Sequence, residues 1–347
     1  MRRARVAIIG LMIALLAGCG NDEDSVARLR AEVRKNPESV DAHLKLGEAY
    51  MEDESYHDAF IQYSSALDLD ASSFEATFGL ARAHEALNNI DGASTRVEEA
   101  LRLRPGDADA LALHGKLLLR ANQPEEAAEA LVKAVEADPG NEEAHRYLPA
   151  AYLRSNQLAR AEDAARAAVE ALPDSVHAHM NLASALLARD RPDETERVLR
   201  DAIALDPSDP VPPLRLAELL VQQDRNLDEA VELSERSGEL APGEGDPEAV
   251  AALALRKQGR HEEALTRLHS AAIANPRNVR LWLMLASLHR ELGNEEAAGQ
   301  AASMAFRFAP RRRLRSTPGL ADGAPPGMID APPQSAPAQS APPEAGE

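Results

Sequence analysis

Apolar and polar residues along positions 37–310 follow one pattern that recurs with a fixed period. Its clearest markers are Pro105, Pro139, Pro173, Pro207, Pro242, Pro276 and Pro310. They recur at a constant interval of 34, except for one step of 35 between Pro207 and Pro242. The same interval leads back to Ala71 and Pro37. Each block predicts two helices. In Asp107–Gly140 the first apolar stripe, with Leu111 and Leu118, predicts a helix over Ala108–Arg120. The stretch "ANQP" breaks it, and Pro124 suits the first turn of the next helix, where a missing N–H costs nothing. Glu125 and Glu126 favour the positive end of that second helix. Ala127, Leu131 and Ala134 recur at helical spacing, and Pro139 ends the run. Neither helix can bury its stripe alone, so the blocks must stack on one another.

Small residues recur at fixed places in this frame. The first block carries Gly47, Tyr50, Ala59, Tyr63 and Ala66, and the second carries Ala81, Ala93, Val97, Ala100 and Pro105. The third has Gly115, Ala127, Leu131, Ala134 and Pro139, and the fourth has Tyr152, Ala161, Ala165, Ala168 and Pro173. The fifth keeps Leu182, Ala183, Leu199, Ala202 and Pro207, but has Thr195 where alanine is usual. The seventh has Ala264, Leu268, Ala271 and Pro276; the eighth has Trp282, Leu285, Ala298, Ala305 and Pro310. This order of small, aromatic and proline positions resembles the tetratricopeptide repeat. The resemblance implies an all-α fold, a right-handed α-α superhelical solenoid of eight repeats over residues 37–310. Large residues at the small positions should overpack such a stack.

Two places depart from the pattern. The sixth repeat has Pro210, Pro212 and Pro213 where its first helix should begin, and one extra residue near Asn226 and Leu227. A shortened or kinked first helix is expected there, with a bend near 207–247. Pro149 stands where glycine or alanine is usual in the fourth repeat. Ahead of the array, residues 25–36 read as one covering helix, with Ser25 as its cap and Val26, Leu29 and Val33 as its apolar face. After it, residues 311–347 are rich in Pro, Ala, Ser and Gly and are expected to be a disordered tail.

The first eighteen residues have a different layout. Arg2, Arg3 and Arg5 give a basic start, Val6–Leu16 is almost wholly apolar, and Ala17 and Gly18 are small. This is the order of a secretory signal, and the run is too short for a confident membrane span. Leu16-Ala17-Gly18-Cys19 resembles the lipobox of bacterial lipoproteins. That resemblance implies a signal peptide over 1–18, lipidation and acylation at Cys19, and a tether over 19–24 that starts the solenoid close to the bilayer. Two or more acyl chains anchor stably where one is marginal. Gly20, rather than Asp, follows Cys19; by the same resemblance the periplasmic face of the outer membrane is favoured over the inner membrane.

Composition narrows the function. The 347-residue chain is 44% hydrophobic but only 3% aromatic, and its formal net charge is −19. An alanine-rich apolar fraction suits thin, closely packed helices. The negative charge argues against nucleic acid, whose binding rests on Lys and Arg at phosphates. Scarce aromatics argue against a base-stacking or sugar-stacking platform. One cysteine excludes an intrachain disulfide and any multi-cysteine site. His261 in "HEEAL" has the wrong spacing for a zinc protease. His43, His145 and His179 share the repeat position of Trp282, which points to packing rather than metal binding. The reading is therefore a non-enzyme, with no catalytic residues, cofactor, metal or small-molecule substrate.

What remains is a binding surface. By the tetratricopeptide resemblance, first-helix positions line a groove that takes a peptide or partner helix. Here the middle position is Leu44, Phe78, Ala112, Arg146, Met180, Leu214, Ala249 and Leu283, flanked by Arg82, Lys116, Arg120 and Arg154. Such a basic patch would steer an acidic segment, with apolar neighbours supplying burial. The same cations also read as ordinary solvated charges, because Asp41, Glu48, Glu75, Glu85, Asp109 and Glu143 map to the same face. The expected function is that of a membrane-anchored envelope scaffold for protein partners, in assembly of a pilus, secretin, outer-membrane or exopolysaccharide export machine. The alternative is an accessory subunit of a polysaccharide-modifying or other envelope enzyme complex.

Overall fold

A computed structural model describes residues 25–242 and 246–309. The leader, Cys19 with its tether, and the tail over 311–347 lie outside the described residues. All regular structure among the described residues is helical. Residues 25–35 form α1, so Ser25, the expected cap, is already helical. Sixteen helices follow as first and second helices of eight repeats. In the first compact unit, which ends at Asp206, these are α2 (Val40–Glu52), α3 (Tyr56–Leu69), α4 (Phe74–Ala86), α5 (Ile90–Leu103), α6 (Ala108–Arg120), α7 (Pro124–Ala137), α8 (Glu142–Arg154), α9 (Leu158–Ala171), α10 (Val176–Ala188) and α11 (Pro192–Leu205). The second unit begins at Pro207 and holds α12 (Val211–Gln222), α13 (Leu227–Leu240), α14 (Asp246–Lys257), α15 (His261–Ala274), α16 (Val279–Glu291) and α17 (Glu295–Phe308).

Local chemistry explains where each helix starts and stops. Ser39, Ser73, Asp107, Asn141 and Ser175 cap the five first helices of the first unit. Each side chain accepts from an alanine N–H three residues on, at 2.8–3.3 Å, satisfying one otherwise orphaned donor. Between the two helices of every repeat the chain passes through a left-handed residue. These are Glu54, Asn88, Asn122, Asn156, Asp190, Asp224, Gly259 and Gly293. The next N–H then reaches back five residues, as Asn89 to His84 (2.8 Å) and Asn294 to His289 (2.8 Å), which closes the helix end. Asn, Asp and Gly dominate this position because they tolerate positive φ best.

The alanine positions are the joints of the stack. Ala59, Ala66, Ala93, Ala100, Ala127, Ala134, Ala161 and Ala168 are fully buried. Thr195 stays buried where alanine is usual because its hydroxyl donates to the Arg191 carbonyl (3.0 Å). Ser237 replaces another alanine and donates to the Pro210 carbonyl (2.8 Å). Glycine is required where the large partner is bulkiest. A Cβ on Gly47 or Gly79 would lie 2.8 or 2.5 Å from Tyr63 Cε1, and one on Gly115 would lie 2.5 Å from Leu131 Cγ. At the cover, Val26, Leu29 and Val33 of α1 pack with Leu46 and Tyr50.

The irregular repeats are milder than their prolines imply. The first helix of the sixth repeat, α12, is one residue shorter than α10, and Pro212 and Pro213 sit in its first turn, where no N–H partner is lost. The extra residue is absorbed in the following turn, where Asp224 and Asn226 both adopt positive φ (56° and 48°). Pro149 lies inside α8, which continues through it to Arg154.

Candidate protein-binding groove

Direct contacts join first helices to one another: α2 to α4, α6 to α8 and α8 to α10 in the first unit, and α12 to α14 in the second. Among the described residues no comparable contact joins successive second helices, so the crowded first-helix row forms the inner face within each unit. In the first unit Leu44, Phe78 and Met180 are half-buried on that row, Ala112 is buried, and Arg146 is exposed. Phe78 stacks on Phe74, with ring centroids 5.7 Å apart. In the second unit Leu214 on α12 and Leu283 on α16 are half-buried.

The flanking cations are not free. Arg82 Nη1 sits 3.0 Å from both carboxylate oxygens of Glu48, its counterpart one repeat earlier. Glu48 also accepts from the Tyr63 hydroxyl at 2.7 Å. Burial opposes the charge on Glu48, but the bonds from Tyr63 and Arg82 outweigh it and hold its carboxyl below the usual range. Lys116 Nζ lies 3.0 Å from Glu143 and 3.3 Å from Glu85. Burial works against its ammonium, yet the bond to Glu143 and the charges of Glu143 and Glu85 keep its pKa raised. Arg120 reaches Glu85 (3.4 Å) and Asn88 (2.5 Å). Arg154 donates to the Leu119 carbonyl (2.8 Å) and Asn122 Oδ1 (3.0 Å). Each of these last two side chains therefore ties the end of a first helix to the left-handed turn residue of the preceding repeat. The same link recurs in the second unit, where Lys257 Nζ is 3.4 Å from Asp224.

The patch read from sequence as basic is thus compensated from within. Arg154 has only neutral acceptors, and Arg146 stands apart from all of these cations, because its side chain makes neither an ion pair nor a hydrogen bond among the described residues. Its backbone carbonyl accepts from Asn181 Nδ2 at 2.8 Å, a link between α8 and α10 that sequence spacing did not single out. Around it, Arg146, Ala150 and Leu153 share one face of α8, and Met180, Ser184 and Leu187 share the matching face of α10, each at i, i+4, i+7. Leu187 is 44% exposed.

The histidines have structural partners. His43 Nε2 lies 3.1 Å from the Pro37 carbonyl, His145 Nε2 lies 2.8 Å from the Pro139 carbonyl, and Trp282 Nε1 donates to the Pro276 carbonyl at 2.9 Å. The ring at this position fastens a first helix to the repeat-ending turn before it. His179 differs and uses Nδ1 toward the Ser175 carbonyl (3.0 Å). Among the described residues no group of three or more His, Cys, Asp or Glu side chains is placed to hold a metal. Sequence reasoning missed one cluster outright. Glu162 of α9, 1% exposed, is ringed by Arg166, Arg189 and Arg191. Burial alone would raise its pKa, but the three guanidiniums hold it below the usual range.

Tetratricopeptide repeat family models match residues 20–75, 78–142, 151–210 and 250–312, with a further match over 186–255. The chain belongs to the tetratricopeptide repeat family, whose scaffold serves protein–protein interaction. Comparison with curated protein sequences finds no match. Solved structures share the fold at low identity. A tetratricopeptide repeat protein from Parabacteroides merdae aligns with a TM-score of 0.56 at 13% identity, over 70% of this chain and 95% of its own. Pseudomonas aeruginosa PilF gives 0.53 at 17% identity, over 64% and 98%. Yeast Tom70 gives 0.53 at 18% identity, over 80% and 62%.

Proposed function

We propose that this protein is a lipid-anchored adaptor of the bacterial cell envelope. It is held through Cys19, on the periplasmic face of the outer membrane, and binds protein partners along the first-helix groove. Its task is assembly of an envelope machine of the pilus, secretin, outer-membrane or exopolysaccharide-export type. The observation that carries the binding role is the half-exposed apolar line Leu44, Phe78 and Met180 on an inner face where Arg82 and Lys116 are already paired with carboxylates. Apolar surface of this kind gains free energy when a partner covers it. The basic start, short apolar run and small residues before Cys19 support the anchor.

The test is site-specific photocrosslinking in intact cells. A photoreactive residue at Phe78 or Met180 should give discrete adducts. One at Ile61, which is 53% exposed on the second helix α3, should not. Adducts from Ile61 with none from the groove positions would overturn the groove reading.

A further inference from the structure

We propose that the specificity-determining part of the groove is the patch on α8 and α10, and that it takes a short apolar segment carrying one carboxylate, paired with Arg146. This rests on the groove reading above and names its ligand chemistry. Groove cations of the second and third repeats are spent on neighbouring carboxylates: Arg82 on Glu48, and Lys116 on Glu85 and on Glu143 at the start of α8. An incoming acidic segment would have to displace these carboxylates, each already close to its cation, so it gains little there. In the fourth and fifth repeats the same stripe reads Arg146, Ala150 and Leu153, then Met180, Ser184 and Leu187. The Ser184 hydroxyl already donates to the Met180 carbonyl (2.8 Å). That leaves three apolar side chains, one alanine and a single guanidinium without an ion pair among the described residues.

The dimensions define the ligand. Met180 and Leu187 are seven helical positions apart, about 10 Å along the axis, and neighbouring helices sit about 8–10 Å apart. Two apolar side chains three positions apart in a polyproline II segment lie on one face about 9 Å apart and match this spacing. A carboxylate between or beside them reaches Arg146, where a charge-assisted pair adds both affinity and orientation. A polyacidic segment would leave its further charges without partners in a protein of net charge −19.

The experiment is selection from a random octapeptide display library against the detergent-solubilised full chain. Wild type should enrich peptides with two apolar residues and one Asp or Glu, and Arg146→Glu should turn the charge preference to Lys or Arg. For an enriched peptide, Arg146→Ala should weaken binding about tenfold by fluorescence anisotropy. Met180→Arg should abolish enrichment, because it buries a charge in the apolar patch. Polyacidic consensus peptides, no enrichment, or a charge preference untouched by Arg146→Glu would overturn the proposal. If enriched peptides also bound Met180→Arg as well as wild type, the groove reading itself would fall.

Discussion

The Glu162 carboxylate of α9 lies 2.6 Å from the guanidinium of Arg189, which stands one residue after the end of α10. Arg166 and Arg191 close on the other oxygen. One buried negative charge thus joins a second helix to the following repeat's turn. Removing it leaves three guanidiniums crowded together without their shared counter-charge. Breaking a fully buried pair costs about 3–5 kcal/mol, but these arginines keep water on their outer sides, so about 1–2 kcal/mol is expected for Glu162→Ala. Glu162→Gln should recover only part of that, because an amide keeps hydrogen bonding but not charge. Chemical denaturation of the three proteins at pH 7 checks this. A Glu162→Gln variant as stable as wild type would show that shape, not charge, holds the junction.

The Tyr63 ring is enclosed by two glycines of successive first helices. A methyl group at Gly47 would stand 2.8 Å from Cε1, and one at Gly79 would stand 2.5 Å from the same atom. The ring cannot retreat from one without closing on the other, and its hydroxyl is tied to Glu48. Gly79→Ala should therefore cost about 1–3 kcal/mol through overpacking, despite the better helix propensity of alanine. Tyr63→Leu in the same chain should restore much of the loss, since Leu131 fills the equivalent site beside Gly115. A double mutant no more stable than Gly79→Ala, measured by thermal unfolding, would disprove this coupling.

Repeat order was legible in the sequence because one structural unit rewrites the same constraints in every period. The fully buried alanines, the Pro124 helix start and the Ala108–Arg120 boundaries follow directly from them. Charge pairing was not legible. Arg82 and Glu48 lie one full period apart and occupy the same repeat position, so a one-dimensional map shows two charges on a face but not their contact. Glu162 was missed for a related reason. Nothing within its own helix marks it as buried, and two of its three arginines, Arg189 and Arg191, arrive from the turn of the next repeat. The turn residues were legible in principle, since Asn, Asp or Gly recurs at the left-handed position in seven of the eight turns, Glu54 being the exception.

Cys19→Ser should leave the helical array folded and release the protein from membranes. Among the described residues the array's buried core begins at Val26. On the proposed reading the acyl chains are the anchor, and no described helix is long and apolar enough to cross a membrane. Fractionation after a high-salt wash, with circular dichroism of the released protein, tests both halves. A variant that still sediments with membranes would rule out the lipid anchor.

His114 stands at a core position that is leucine in most other repeats: Leu46, Leu80, Leu148, Leu182, Leu216 and Leu285. All six are buried. Its Nδ1 is buried with no hydrogen-bond partner among the described residues. Burial pushes its pKa down, against the weaker opposing pull of the Glu98 charge. The unfolded chain takes up a proton near pH 6.5, whereas the folded chain resists it until lower pH. Stability is therefore complete above about pH 6.5 and declines as pH falls below it, because the unfolded state then binds more protons. Glu162 acts in a separate window: its depressed pKa gives stability above the ordinary glutamate range that is lost only at more acid pH. Urea midpoints at pH 7.5 and 5.5 in wild type and His114→Leu test this, because His84, whose pKa burial also lowers, contributes alike to both proteins. Wild type should lose stability between the two pH values, while His114→Leu should be more stable at both and lose less. Equal losses in the two proteins would assign the acid sensitivity to another group.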